Sequence, residues 1–319
     1  MAYSLREYRA EDWELVTDIS HLVYARKTGS FSIVSKLQDA GMLRKHVILD
    51  DRDTVAGYGL LWVQAKSPCF ILKMENLLHP KHENFVAADL LFSKMVEDSL
   101  EIAPDIVLAR AFDDQEFLLQ LYGQYGFEEN HRMVHVYLNL ADAGTSSLEV
   151  ENRLNSSGIR LTTLSDERAS DPDADAKLKT LHRATFADYP TEPYFPPTSP
   201  NDAWLKHEDN IPEAHIIAVK GQDYIGHSHL MRMPSDSGKL RQGLTAVLRD
   251  FRGMGIATAL KRRGIDYAKK NGYTGIFTAS RSTNFAMRTV NSNLGWQPHY
   301  SEVRFEKIIG SEAAWNHSR

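Results

Sequence analysis

The hexapeptide Arg252-Gly253-Met254-Gly255-Ile256-Ala257 sits between an apolar run, Leu244 to Leu248, and a stretch in which Ile256, Leu260, Ile265 and Ala268 recur with roughly helical spacing. Its two glycines let the backbone reach positive φ and carry no side chain to hold a ligand away. The amides that follow open a helix, where unpaired N–H donors and the positive end of the dipole favour an anion. Strand, glycine turn and helix start together suit a pyrophosphate. The loop is not a Walker loop, because no Gly-Lys-Ser/Thr ends it. It is not a dinucleotide fingerprint either, since Thr258 stands where a third glycine is required. Lys261, Arg262, Lys269 and Lys270 fall on the water-facing side of the predicted helix.

Other reactive side chains are sparser. His227 and His229 are two apart in a predicted strand, so they share one face and either could titrate near neutrality. Asp188 and Glu192 lie in a Pro-rich insertion, residues 187 to 200, and are candidates for holding a cationic substrate. His79 and His82 flank a proline with no third ligand in view, and no metal site is expected.

The elements that position these residues come in two diverged copies. His46 to Val63 and His215 to Arg232 both read as β-hairpins: an alternating apolar strand, a polar turn, then a strand with an early glycine. His46 and His215, Gly57 and Gly226, and Gly126-Phe127 and Gly295-Trp296 are all 169 positions apart. Each copy starts with a short strand and continues through helical material, the hairpin, a strand, a helix, a strand, a helix and a closing strand. The expected fold is α/β in the α+β sense, a mixed, mostly antiparallel sheet flanked by helices. The expected domains are 1–143 and 158–319, joined by a linker at 144–157 that is rich in small and polar residues. At the 169 offset, Arg252, Gly253 and Gly255 meet Glu83, Asn84 and Val86. The first copy has therefore lost both loop glycines and gained a carboxylate and a β-branched residue that resists φ > 0. It reads as a scaffold.

Beyond the loop, a strand at 274–280 leads to Asn284-Phe-Ala-Met-Arg-Thr-Val-Asn-Ser-Asn-Leu-Gly295-Trp296. The loop pattern Arg252-x-x-Gly255-x-Ala257 resembles the CoA loop of the GNAT superfamily of N-acetyltransferases, and the Asn-to-Leu-Gly-aromatic segment resembles that superfamily's second signature. The whole run is similar to tandem-GNAT proteins, the group that includes mycothiol synthase. The resemblance implies two tandem GNAT-like acyltransferase domains, with acetyl-CoA as co-substrate of the second. Val247, Leu248 and Arg249 would face the pantetheine arm, and Asn284 would hydrogen-bond it. Arg252, Gly253, Met254, Gly255, Ile256 and Ala257 would hold the pyrophosphate through backbone N–H groups. The reaction implied is direct acetyl transfer to an amine, with His227 and His229 as candidate bases. Many members carry a tyrosine acid four residues before the Gly-aromatic pair. That position is Asn291 here, so Tyr300 or water is left as the proton source, while the first copy keeps Tyr122 there. Cys69 falls opposite Gly238 and offers no acyl-cysteine route. A CoA-binding regulatory module of weak activity and a protein N-acetyltransferase remain alternatives.

Composition bounds the rest. The 319 residues suggest two domains, and 42% hydrophobic with 25% charged residues is ordinary globular composition. A net charge of −5 gives no basic field for nucleic acid. No run of 18 apolar residues suggests a membrane span, and the N-terminal segment lacks a signal core. One cysteine excludes an internal disulfide framework, and a cytoplasmic protein is expected. The resemblance implies a small-molecule amine as acceptor, and a monomer or homodimer is expected.

Overall fold

The computed structural model describes residues 2–25, 27, 41–67, 69–144, 148–186, 188, 205–233 and 236–310. The chain forms two compact units, Met1–Val134 with His299–Arg319, and His135–Pro298. The first unit contains β1 (Ser4–Glu7), α1 (Trp13–Ala25), β2 (Met42–Leu49), β3 (Val55–Ala65), β4 (Ile71–Leu78), α2 (Phe85–Ile102), β5 (Ile106–Phe112) and α3 (Glu116–Gln124). β6 (Glu128–Asn139) crosses the division. The second unit continues with α4 (Leu148–Ser156), β7 (Ile159–Thr163), α5 (Leu164–Ser170), α6 (Ala174–Phe186), β8 (Asn210–Lys220) and β9 (Asp223–Arg232). It ends with β10 (Lys239–Val247), α7 (Ile256–Lys270), β11 (Gly275–Arg281) and α8 (Phe285–Asn293), and β12 (Gln297–Ile308) follows. No described helix is long and apolar enough to cross a membrane.

The duplication is visible in the elements themselves. β5 and β11, α3 and α8, and β6 and β12 match end for end at the 169 offset. The sheet of the first unit includes β1-β2-β3-β4-β5-β12 in that order, and that of the second includes β11-β10-β9-β8-β7. Pairing is mostly antiparallel, with β4/β5 and β10/β11 parallel.

The compact units do not follow the boundary drawn from composition. Residues 148–156, expected in the linker, form α4, whose Leu154 and Val150 pack on Ile256, Ala259 and Leu260. Glu151 is ion-paired with Arg263 of α7, at 3.1 Å from its Nε. Small polar residues raised the expectation of a linker, but one apolar pair four apart is enough to seat a helix. β12, the closing strand of the second copy, belongs to the first unit. It pairs Glu302–Ile308 antiparallel with Ile106–Phe112, and Val303 and Phe305 join the core of Leu118, Tyr122 and Phe127. A closing strand carries no local mark of the sheet it will join.

The hairpins also differ from the offset. In the first, Ile48 lies opposite Gly57; in the second, Ala218 lies opposite Gly226. β2 and β8 therefore align at 170, because the second turn is one residue shorter. His46 and His215 share an offset by coincidence and face opposite ways, as a one-residue slip requires. His46 Nε2 is 2.6 Å from Asp98 on α2. His215 lies opposite His229, on the face that α5 and α6 cover with Ile217, Val219 and Tyr224. α7 covers the other face, over Ile216, Ala218, Ile225 and Val247.

Gly57 tests how tightly β3 packs. A Cβ there would lie 2.6 Å from both the Leu77 carbonyl oxygen and a Leu78 methyl, whereas one on Gly123 in α3 would meet nothing within 4 Å. Gly57→Ala should lower stability by about 1–3 kcal/mol in urea denaturation. Gly123→Ala should raise it by about 0.5–1 kcal/mol, the ordinary gain in a helix.

Candidate functional site

The site of the second unit begins where two strands part. β10 pairs with β11 only from Lys239–Arg241 to Gly275–Phe277, and its register against β9 breaks between Gln242 and Thr245. Gln242 props this break open from inside, its Nε2 donating to the His229 carbonyl (2.7 Å) and to Ser228 Oγ (3.0 Å). Beyond Arg241 the edges of β10 and β11 diverge and leave a slot. At its end the Leu248 amide donates to the Ile225 carbonyl at 2.9 Å, so alternation turns the Val247 backbone amide away from β9. The Val247 carbonyl accepts from Arg252 Nε at 3.0 Å.

The loop after β10 turns through a short 3-10 segment, Arg249–Phe251, in which the Arg252 amide donates to the Arg249 carbonyl at 3.1 Å. That amide is therefore already taken, which corrects the expectation that the anion-holding run starts at Arg252. Gly253 and Gly255 have φ of 79° and 83°, and Gly255 is the N-cap of α7 with no side-chain cap. Among the described residues, the amides of Gly253, Met254, Gly255, Ile256 and Ala257 have no hydrogen-bond acceptor. Five donors converge at a positive helix end, the arrangement that binds phosphate groups.

The first unit handles the same position differently. α2 starts earlier, at Phe85, and Asn84 caps it, its side chain accepting from the Ala87 amide at 3.0 Å and its carbonyl from Ala88 at 3.1 Å. Those two amides correspond to Ile256 and Ala257. β4 and β5 also pair over only three residues, Ile71–Lys73 with Ile106–Leu108. There a buried ion pair bridges the strands, Arg110 to Glu75 at 2.9 Å, and Tyr24 donates to Glu75 at 2.8 Å. Tyr122, at the position of the acid, is fully buried, donates to the Arg110 carbonyl at 3.0 Å and stacks on Phe305. Its burial pushes the phenol well above its usual range. Of the five amides at this position in the first copy, those of Ala87 and Ala88 are taken within α2, while those of Asn84, Phe85 and Val86 have no acceptor among the described residues.

Charges around the second loop differ from the expectation. Asp188, expected to meet a cationic substrate, is held by Arg249, whose Nε lies 3.0 Å from both oxygens, and by Arg252. Their hydrogen bonds pull its carboxyl down to about 2. Glu192 lies outside the described residues. Arg153, in the stretch expected as linker, is a cation that sequence reasoning missed: its guanidinium would be 3.7 Å from a Cβ on Gly255. The signal for it was the Val150–Leu154 pair. Lys261 is not on a solvated face. It is 1% exposed, with Nζ 4.6 Å from the centre of the Trp296 ring, and burial pushes its ammonium down to about 7.

Asn284 caps α8, its Oδ1 accepting from the Met287 amide at 3.1 Å, which leaves its NH2 group outside that bond. Asn291 is buried, and its side-chain oxygen has no partner among the described residues. Tyr300, a candidate acid, lies in the first unit against Phe112 and Tyr24 in its core, not in the unit that holds the loop. His227 and His229 do share a face of β9, and His215 joins them from β8. Their ligand nitrogens lie within 4.8 Å of one another, and His182 of α6 adds a ring 5.6 Å from His227. Burial pushes His229 down to about 4 and His215 and His227 well below their usual value. The His229 ring packs on Gly243, at the break in β10. Sequence reasoning missed His215 because its facing depends on hairpin register; counting across the short turn from His229 would have found it.

Residues 178–296 match the profile of the acetyltransferase (GNAT) family. A comparison with curated protein sequences gives no match. Among solved structures, the fold is similar to a GCN5-related N-acetyltransferase from Sphaerobacter thermophilus, with a TM-score of 0.66 and 15% identity over 97% of this chain and 96% of that one. The tandem GNAT protein from the clavulanic acid biosynthesis pathway gives a TM-score of 0.62 at 16% identity, over 97% of this chain and 99% of that one. A glucosamine N-acetyltransferase region in a fungal multi-domain GH3 beta-N-acetylglucosaminidase gives 0.66 at 13% identity, over 96% of this chain but only 38% of that one. The fold is GNAT-like. Residues 178–296 thus carry a match to the GNAT family profile, and the chain as a whole is similar in fold to GCN5-related and tandem GNAT proteins.

The buried Lys261 generates a pH prediction. Its folded pKa lies below the unfolded value of 10.5, so the folded state binds fewer protons between about pH 7 and 10.5. Stability should rise with pH across that window, by up to ~5 kcal/mol for a full 3.5-unit shift, and should be insensitive to this group below pH 7. Lys261→Met should remove the rise, read as the difference between the two proteins' urea denaturation curves at pH 7 and pH 10.

Proposed function

We propose that the second copy transfers an acetyl group from acetyl-CoA directly to an amine of a small molecule. The observation that carries this reading is the run of five acceptor-free amides, Gly253 to Ala257, at the start of α7. They would hold the pyrophosphate, with Arg153 close by. The Val247 backbone amide is turned away from β9 with Leu248 and Arg249 beyond it, and the Asn284 NH2 group is left to meet the pantetheine arm. Acetyl-CoA supplies an acetyl thioester, whose thiolate leaves readily because thiols ionise near neutral pH. Asn291 has no ionisable proton to give, so the leaving group departs as thiolate or takes its proton from water.

The histidines are poorly matched to act as bases. An imidazole near 4 is some six units short of an alkylammonium, an uphill proton transfer of about 8 kcal/mol. The acceptor best suited to this site is an amine already largely neutral near pH 7. Asn291 favours a second reading, a CoA-responsive module without turnover. Thiol release from acetyl-CoA, measured with amines spanning low to high pKa, separates the two. Release that grows as amine pKa falls supports the transferase, and saturable binding without release supports the module.

The loop assignment is tested by Gly255→Val. A side chain at φ 83° is strained, and its Cβ would lie 3.2 Å from Val150. In calorimetry the native chain should bind one acetyl-CoA, and the variant should bind none while keeping its circular dichroism spectrum. Unchanged affinity would overturn the loop assignment. A second equivalent per native chain would overturn the scaffold reading of the first copy.

A further inference from the structure

We propose that His215, His227 and His229 form a binding site for one divalent transition-metal ion of the zinc type, with a fourth coordination position left for water or another small ligand. This stands apart from the transferase reading and revises the expectation that the chain has no metal site. The geometry comes from sheet pairing. His215 on β8 lies directly opposite His229 on β9, and His227 is two residues along, so all three side chains rise from one face of adjacent antiparallel strands. Their ligand nitrogens all lie within 4.8 Å of one another, and His215 Nε2 and His227 Nδ1 share a hydrogen bond at 3.1 Å, which a bound ion would replace. Nitrogens that share a tetrahedral zinc at about 2.0–2.1 Å stand roughly 3.3 Å apart, so the three rings are close enough to converge on one ion by turning about their side-chain bonds.

The chemistry of the set agrees. Three imidazoles without a carboxylate suit zinc, cobalt, nickel or copper rather than magnesium or calcium. The three rings are at most 7% exposed and sit on paired strands, which hold ligands more rigidly than loops do. The first copy has no such set. By register its corresponding residues are Lys45, Tyr58 and Leu60, so the triad belongs only to the copy with the open loop. His182 approaches from α6 but lies outside the group of mutually close nitrogens, so it is not assigned as a ligand.

The test uses the full chain, with any affinity tag removed, after chelator treatment and dialysis. Titration with Co2+ should show one equivalent per chain and the strong visible ligand-field band of a low-coordinate site, and Zn2+ should displace it. His215→Gln and His229→Gln should each abolish the band and weaken Zn2+ binding by more than the ~10–100-fold that groups one step outside a metal's ligands contribute. His182→Gln should keep both stoichiometry and band. Gly255→Val should bind metal normally, so failure of the CoA loop reading would be seen separately. Should the ligand variants misfold, histidine 15N resonances of the native chain decide, and three imidazoles should shift with one equivalent of Zn2+. Uptake well below one equivalent, or equal binding by native chain and folded ligand variants, would overturn the proposal.

Discussion

A helix start whose donors the protein itself does not take up is the constraint on which the second unit is organised. A backbone N–H left without an acceptor costs about 1–3 kcal/mol where it is buried; Gly253 is exposed and Met254, Gly255 and Ala257 are half-buried, so these donors stay within reach of an external acceptor. Gly255 in the left-handed region delays the start of α7 to Ile256, and Gly253 keeps the approach clear of side chains. Every neighbouring feature serves that opening. α4 is clamped to α7 by Glu151 and Arg263 and brings Arg153 beside the loop, while Arg252 ties the loop back to the end of β10. Asp188 holds two loop arginines together, so their charge near the anion site is partly compensated within the protein.

The first unit shows what happens when the same framework meets its own needs. Asn84 caps α2, and the Glu75–Arg110 pair with Tyr24 crosses the gap that β4 and β5 leave. A buried ion pair of this kind is weak as a source of stability. Here it bridges the strands where β4 and β5 are no longer paired.

Polar groups buried in the second unit follow a different logic. Lys261 is carried inside by the helical register of α7 and rests on Trp296, at the cost of its charge near neutrality. The histidine triad depends on one residue of turn length: with the turn of the first copy, His215 would face α7 as His46 faces α2. Small changes in hairpin length thus decide which polar side chains meet.

The sequence alone determined the duplication, the strand–loop–helix that offers amides, and the loss of that loop from the first copy. These are local properties: periodicity, glycine at defined places and a constant offset of 169. It also placed Asn284 at a helix start and His227 with His229 on one face. Only the tertiary structure decided that residues 148–156 are a helix on α7, that β12 joins the first unit, and that Lys261 is buried. The pairing of Asp188 with Arg249 and Arg252, and the meeting of His215 with His229, were equally out of reach. Each of these depends on residues distant in the chain, or on a register that slips by one, and spacing along a sequence does not encode either.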